Sequence, residues 1–340
     1  MTHPRPIYRI TLDGRDITPA FEPRLESLTL TDNRGFEADQ LDLVLDDSDG
    51  KLAIPARGVT IAVQLGWAET GLIDKGTYVV DEVEHSGAPD KLSIRARSAD
   101  LRAGLTTRKE RSWHGKTLGD MVRSVAQQNK LKPVIAADLA KLVIAHVDQT
   151  GESDANLLTR VARDFDAIAT VKTGCLLCSP IGKATTASGQ PLERVTITRQ
   201  SGDNHRFSVA ERDTYTSVRA NYQDTQSAQT GHVLIDAEAM ERDGKTSTDP
   251  SAESVKVLRH VYASKANADR AARAEWRRLQ RGAATFSITL AHGRPELFPD
   301  LPATVEGFKN EIDAATWLIS RASHHLGDGG LTTSVELELL

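Results

Sequence analysis

Residues 113–131 read WHGKTLGDMVRSVAQQNKL. Here the hydrophobic period changes. Leu118, Met121, Val122, Val125 and Ala126 recur at the spacing of one helix face. Thr117 stands just before the run and Asp120 three residues after it. That pair fits an N-cap whose hydroxyl accepts a backbone N–H, with an acid in the positive first turn. Pro133 keeps the helix from continuing past Leu131. The stretch also holds His114 close to Asp120. A catalytic dyad would need a nucleophile and a third, orienting group, and no motif supplies them. The helix therefore reads as architecture.

Upstream the period is two. Val59, Ile61, Val63 and Leu65 share a face in VTIAVQLGW, with Thr60 and Gln64 on the other. Leu41, Leu43 and Leu45 do so in LDLVLDD, as do Leu92, Ile94 and Ala96 in KLSIRARS. Turn signals separate these runs at DDSDGK, ARG, TGLIDKG and SGAPDK. Short alternating strands at this spacing predict a sandwich or small barrel over residues 1–106. A second helix is predicted in GESDANLLTRVARDFDA, capped by Ser153 with Leu157, Leu158, Val161, Ala162 and Phe165 as its stripe. Residues 107–172 thus read as an α-rich middle segment.

Strand signals return over 173–340 at RVTIT, RFSVAE, YTSVRANY, ESVKVLRHVY, ATFSITLAHG, AATWLISRASHHL and TTSVELELL. Among them lies a helix at 264–281. Ser264 caps it, Ala268, Ala271, Ala272, Trp276 and Leu279 face inward, and Gly282 is placed to close it in a left-handed turn. Residues 223–253 are polar and rich in turn formers, predicting a long exposed loop or a loose hairpin.

The 340 residues carry a net charge of −5 with 39% apolar and 26% charged residues, a soluble globular balance. That charge gives no global case for nucleic acid or an anionic membrane. Two cysteines make no disulfide framework, which suits a reducing compartment of origin. The N-terminal stretch lacks the apolar core of a secretory signal, and no apolar run approaches the roughly 18 residues of a membrane span.

The remaining chemical candidates each have a plainer reading. Cys175 and Cys178 form a lone C-x-x-C without the second ligand pair that zinc requires, inside a predicted hairpin. DDSDG at 46–50 lacks the later calcium-loop ligands and reads as a turn. His324 and His325 are adjacent, so a strand would send them to opposite faces, and His292 is distant in sequence. Arg270, Arg273, Arg277 and Arg281 line one helix face, either a solvated face or a surface for phosphate or acidic partners. No P-loop, G-x-S-x-G or H-E-x-x-H signature occurs. No catalytic, cofactor-binding or metal residue is assigned.

Six stretches in order resemble the phage late control D family: DDSDGKLAIPARGVTIAVQLGW, RSWHGKTLGDMVRSVAQQNKL, DQTGESDANLLTRVARDFDAIATV, YTSVRANYQD, ASKANADRAARAEWRRLQRGAATFSITLAHGRPEL and SHHLGDGGLTTSVELEL. These family members are baseplate hubs of contractile phage tails and of tail-derived bacteriocins. The resemblance implies a β-rich α+β fold with two tube-forming β-barrel domains, 1–106 and 173–340, around the middle segment. It implies a homotrimer, whose six barrels let a threefold central spike dock below a sixfold tail tube and start tube assembly. Expected partners are the spike, the tail tube protein, other baseplate proteins and the tape measure protein, with no specific nucleic acid and no membrane anchor. The expected location is the tail baseplate of a phage virion or bacteriocin particle, assembled in the bacterial cytoplasm. The resemblance carries no catalytic residue and no cofactor. No duplicated sequence motif relates 1–106 to 173–340.

Two other classes stay in view. A tail-carried cell-wall hydrolase would need an acid pair or metal in a cleft. A nucleic-acid-binding regulator would use the arginine face, against the net charge. If the chain continues a tube, Asp42, Glu82, Glu84, Glu336 and Glu338 are candidates for an acidic inner wall. The arginine face would then point away from the lumen. The plain alternative is that these acids are solvated outer-surface charges.

Overall fold

A computed structural model describes residues 4–98, 103–209, 215–224, 228–241 and 254–340. The fold is β-rich α+β, dominated by one 13-stranded sheet. From one edge its main path runs through Gly202–Val209, Ala284–Leu290, Gly330–Leu339 and Thr316–Gly327. It continues through Leu25–Asn33, Gln40–Asp46, Lys91–Ser98 and Gly71–Ser86. Every step along these eight strands is antiparallel. The first four come from the C-terminal half and the last four from the N-terminal half. Residues far apart in sequence are thus joined by the pairing of Leu28–Asn33 with Arg321–Leu326.

The two sets of four share a plan. Within each, the spatial order is the first, second, fourth and third strand of that set along the chain. Each third strand also pairs antiparallel with the strand before it, Gly71–Ser86 with Thr60–Trp67 and Thr316–Gly327 with Pro302–Glu306. Each carries a register shift against the fourth strand, between Val80 and Glu82 in one half and between Ile319 and Arg321 in the other. Such bulges bend and twist a strand, and this one recurs at the same place in both halves. The strict alternation of Leu41, Leu43, Leu45, Ile61, Val63 and Leu65 fills one core. Phe286, Ile288, Val335, Leu337 and Trp317 fill the other.

Several expectations need correction. TGLIDKG lies mostly inside a 16-residue strand, with the turn falling earlier, before Gly71. The middle segment holds the two expected helices, Leu118–Gln128 and Asp154–Arg163, but strands as well. Arg108–Thr117 and Val143–Ser153 form a two-stranded ribbon, and Lys132–Ile135 pairs with the hairpin of Ala167–Lys172 and Cys175–Pro180. Their charged, exposed residues hid the period. The first helix stops at Gln128 because Lys130 turns left-handed (φ 54°). Within 223–253, Gln229–Ile235 is a strand hairpinned with Ser217–Asp224, and Ala237–Glu241 is a short helix. Residues 225–227 and 242–253 lie outside the described residues. Gly282 is the last helical residue and is followed by Ala283 in right-handed conformation, so no left-handed cap forms and the chain runs on into Ala284–Leu290. Among the described residues no helix is long and apolar enough to cross a membrane.

Three cap assignments match the geometry. Thr117 and Asp120 make a reciprocal capping box, and Ser153 and Ser264 accept from the backbones of Asn156 and Asn267. Helix Lys265–Gly282 lays Ala268, Ala271, Ala272 and Trp276 on Val218, Ala220, Val233, Ile235 and Tyr262.

A buried polar group underlies the central strand pair. Lys75 Nζ lies 2.6 Å from Asp32 Oδ2 and 3.0 Å from the Pro295 carbonyl. His324 lies 3.6 Å from the same carboxylate and shares a 2.9 Å hydrogen bond with Thr333. Burial pushes the Asp32 carboxyl up, but the His324 ring and the Lys75 ammonium outweigh it and hold the pKa at about 2. Burial pushes His324 below the usual histidine value.

Trp276→Ala is expected to destabilise the protein by about 3–5 kcal/mol, since the indole is only 8% exposed. Thermal or urea unfolding reads this, and a loss below about 1 kcal/mol would contradict the packing. A histidine that protonates more readily when unfolded contributes stability above its unfolded pKa of about 6.5, lost as pH falls. Urea unfolding at about pH 7.5 and pH 5.5 should therefore show a drop in the wild type and a smaller drop in His324→Gln. Equal drops would refute this role. Asp32 acts lower, its contribution fading as pH falls from about 4 toward 2.

Candidate functional site

A cluster of paired charges lies where the N-terminal half, the middle segment and the C-terminal half join. Arg34 follows strand Leu25–Asn33. It reaches Glu338 at 2.5 Å and Asp300 at 2.8 Å. Arg281, in the last turn of the long helix, reaches Asp166 at 2.5 Å and approaches Glu338 at 3.6 Å. Burial raises the Asp300 carboxyl and Arg34 opposes that rise. Nearly two turns earlier, buried Glu275 is held by Lys256 at 2.9 Å, Arg163 at 3.2 Å and Arg278. Burial alone would raise Glu275; Arg278 and Lys256 bring it down to about 2. Breaking one partner of such a pair strands a charge away from water, so the cluster fixes relative placement even where its net contribution to stability is small.

The middle segment is tied to the N-terminal half by separate bonds. Lys172 pairs with Asp39, and Thr170 donates to the Gly35 carbonyl at 2.6 Å. Gly35 takes a left-handed φ of 75° with Ile168 packed over it, a place where a side chain would be strained. Across the halves, Trp67 Nε1 donates to Gly293 at 2.7 Å while the His292 ring stacks on the indole at 3.9 Å. Thr31 and Ser323 hydroxyls meet at 3.2 Å, and Thr29 meets His325 at 3.0 Å.

This placement revises the arginine face. Arg281 is buried, Arg277 lies 3.8 Å from Asp166, and Arg273 bonds Asp269 and the Ala239 carbonyl. Arg270 sits over the Phe165 ring at 4.1 Å. The face is mostly spent on the chain's own joints. Of the acids considered for a tube wall, Glu338 belongs to the charged cluster, while Glu82 and Asp42 lie 3.0 and 3.7 Å from Arg95.

The other singled-out residues do not converge. His114 stacks on His146 at 4.4 Å across the ribbon, whereas Asp120 binds Thr117 and Arg123. His324 is buried and His325 turns outward, as adjacent strand residues must. Cys178 is buried, which pushes its thiol up to about 12, and Cys175 starts the same strand. In the 46–50 turn, Asp46 and Asp47 accept from the backbones of Ser48 and Leu52, and Asp49 pairs with Arg24 at 2.6 Å. No group of three or more His, Cys, Asp or Glu among the described residues could hold a metal ion. A cleft of about 710 Å³ beside the ribbon contains Asp148 and Glu152. Glu152 is paired with Arg160 at 2.7 Å, and hydrogen bonds from Ser112 and His146 lower Asp148. A glycosidase general acid needs a raised pKa, the opposite shift.

Comparison with known proteins gives this geometry a context. The family model "Phage tail baseplate hub (GPD)" matches residues 22–330. The chain is 45% identical to the "Probable baseplate hub protein" of Escherichia phage 186, over 98% of this chain and 93% of that one. The crystal structure of a tail protein from Neisseria meningitidis MC58 superposes with a TM-score of 0.71 at 15% identity, covering 97% and 96% of the two chains. A component of the E. coli type VI secretion system, described as structurally similar to the T4 tail proteins gp27 and gp5, superposes at 0.59 and 12% identity over 93% and 73%. The chain belongs to the phage tail baseplate hub family.

Proposed function

We propose that this hub protein is a homotrimer that joins a threefold central spike to a sixfold tail tube and starts tube assembly. The observation that carries the reading is the repeated strand plan of the two halves, held in one sheet by the central strand pair. A chain that contributes two like, barrel-forming β units contributes six when three copies close. A ring of six such units presents sixfold symmetry on one face and threefold chain symmetry on the other. Oligomers close most simply by rotation, and this arrangement does so while matching both neighbours. On this reading residues 1–106 and 173–340 hold the two tube-forming domains, and 107–172, with its ribbon and two helices, lies outside the tube together with the strand Cys175–Pro180 that completes its sheet. The partners are the spike, the tail tube protein, other baseplate proteins and the tape measure protein. The place of action is the tail baseplate of a phage or bacteriocin particle assembled in the bacterial cytoplasm.

The role is structural and the chain is not an enzyme. Engagement of Asp148 and Glu152 by neighbours supports this against the cell-wall hydrolase alternative. Engagement of the long helix's arginines by the chain's own groups supports it against a nucleic-acid-binding regulator.

Light scattering of the purified protein, alone and with its spike, should give a mass of three copies, and monomer under both conditions would refute the trimer. Incubation with peptidoglycan should release no soluble fragments. Release that disappeared in His114→Ala or Asp148→Ala would overturn the structural assignment.

A further inference from the structure

The ribbon of Arg108–Thr117 and Val143–Ser153 carries two histidines that the hub role does not use. His114 and His146 stand directly opposite each other across the strands. Residues so placed hold their Cβ atoms about 5 Å apart, with both side chains on one face. Among the described residues no other two histidine rings are in contact. The Nδ1 atoms are 3.0 Å apart while the ring centres are 4.4 Å apart, so the nitrogen edges lean toward each other. Both residues are exposed.

One of the two rings is already oriented. His146 Nε2 lies 3.0 Å from Asp148 Oδ2, and Ser112 donates to the other oxygen of that carboxylate at 2.5 Å. A carboxylate accepts, so the hydrogen of the first contact sits on His146 Nε2. In the neutral ring Nδ1 then keeps its lone pair and faces His114. A carboxylate behind a histidine fixes the ring and makes the opposite nitrogen a more basic metal ligand.

We propose that His114 and His146 form a binding site for a late first-row divalent metal ion, held by the two Nδ1 atoms with water in its remaining positions. The ion takes the place of the hydrogen between the rings. That hydrogen, carried by His114 Nδ1, passes through water to His114 Nε2, so both rings stay neutral. A bound ion ties the two strands of the ribbon together.

The spacing of the nitrogens selects the ion. Two nitrogens 3.0 Å apart, each roughly 2.0–2.1 Å from a metal, subtend about 95° there. A tetrahedral zinc site holds its nitrogens about 3.3 Å apart and takes four protein ligands when structural. Near-right angles with nitrogen and water ligands belong to tetragonal Cu2+ and Ni2+. Cu2+ therefore binds most tightly, and Ni2+ ahead of Zn2+. Mg2+ and Ca2+ prefer oxygen and are not held.

Calorimetric titration of the untagged full chain with CuCl2, NiCl2 and ZnCl2 tests the site at about pH 7.5, where imidazole is neutral. A His3→Gln background takes the histidine near the amino terminus out of the count. This parent should bind one Cu2+ per chain. His114→Gln and His146→Gln should each weaken that binding at least about tenfold, and Asp148→Asn should weaken it with both ligands still present. His232→Gln, at an exposed histidine of strand Gln229–Ile235, should leave it unchanged. Electron paramagnetic resonance of the parent's copper complex, which needs no substitution in the ribbon, should show tetragonal Cu2+ bound by two nitrogens. Equal copper affinity in the parent and in the double variant His114→Gln/His146→Gln would overturn the site. Zn2+ binding more tightly than Ni2+ would overturn the tetragonal geometry.

Discussion

Six residues of strand pairing, Leu28–Asn33 against Arg321–Leu326, make one sheet out of two hydrophobic cores. Without that ladder the halves would share only side-chain contacts, and domains joined in that way move relative to one another. With it, each half continues the backbone hydrogen bonding of the other. The supports are arranged around it. Lys75, Asp32 and His324 lie buried beneath the pair, Trp67 spans to Gly293, and the Arg34, Glu338, Arg281 and Asp166 cluster ties in the middle segment and the long helix. These buried charges cost desolvation and return it only in one geometry.

Two buried carboxylates are occupied by neighbours in the fold. Asp154 is buried at a helix start against Lys109, Arg111 and Gln149, and Glu275 is held by three cations. A carboxylate with its lone pairs taken is a fastener more than a proton carrier.

Much of the fold was legible in the sequence, because period two and period 3.6 are local signals. The strands around Leu43, Val63 and Ile94 and the caps at Thr117, Ser153 and Ser264 needed no tertiary information. What decides function was less visible. Thr29 and His325 are 296 residues apart, and no local pattern announces their pairing. The repeated strand order leaves no sequence motif, because register can be kept while side chains change; Leu41 faces Ala96 in one half where Phe286 faces Leu337 in the other. The arginine face misled for a related reason. Helical spacing puts Arg270, Arg273, Arg277 and Arg281 on one side, but only the tertiary structure supplies Phe165, Asp166 and Glu338 beneath them.

The chain belongs to the baseplate hub family, and its sheet joins two halves of the same strand order through one ladder. Cryo-electron microscopy of assembled tail particles tests this most directly. The account predicts three copies on the tail axis, with six β units forming a ring continuous with the tube and with the Leu28–Asn33 pairing intact in each copy. A hub in which the two halves of a chain separate at that ladder, or in which only one half of each chain joins the ring, would contradict it.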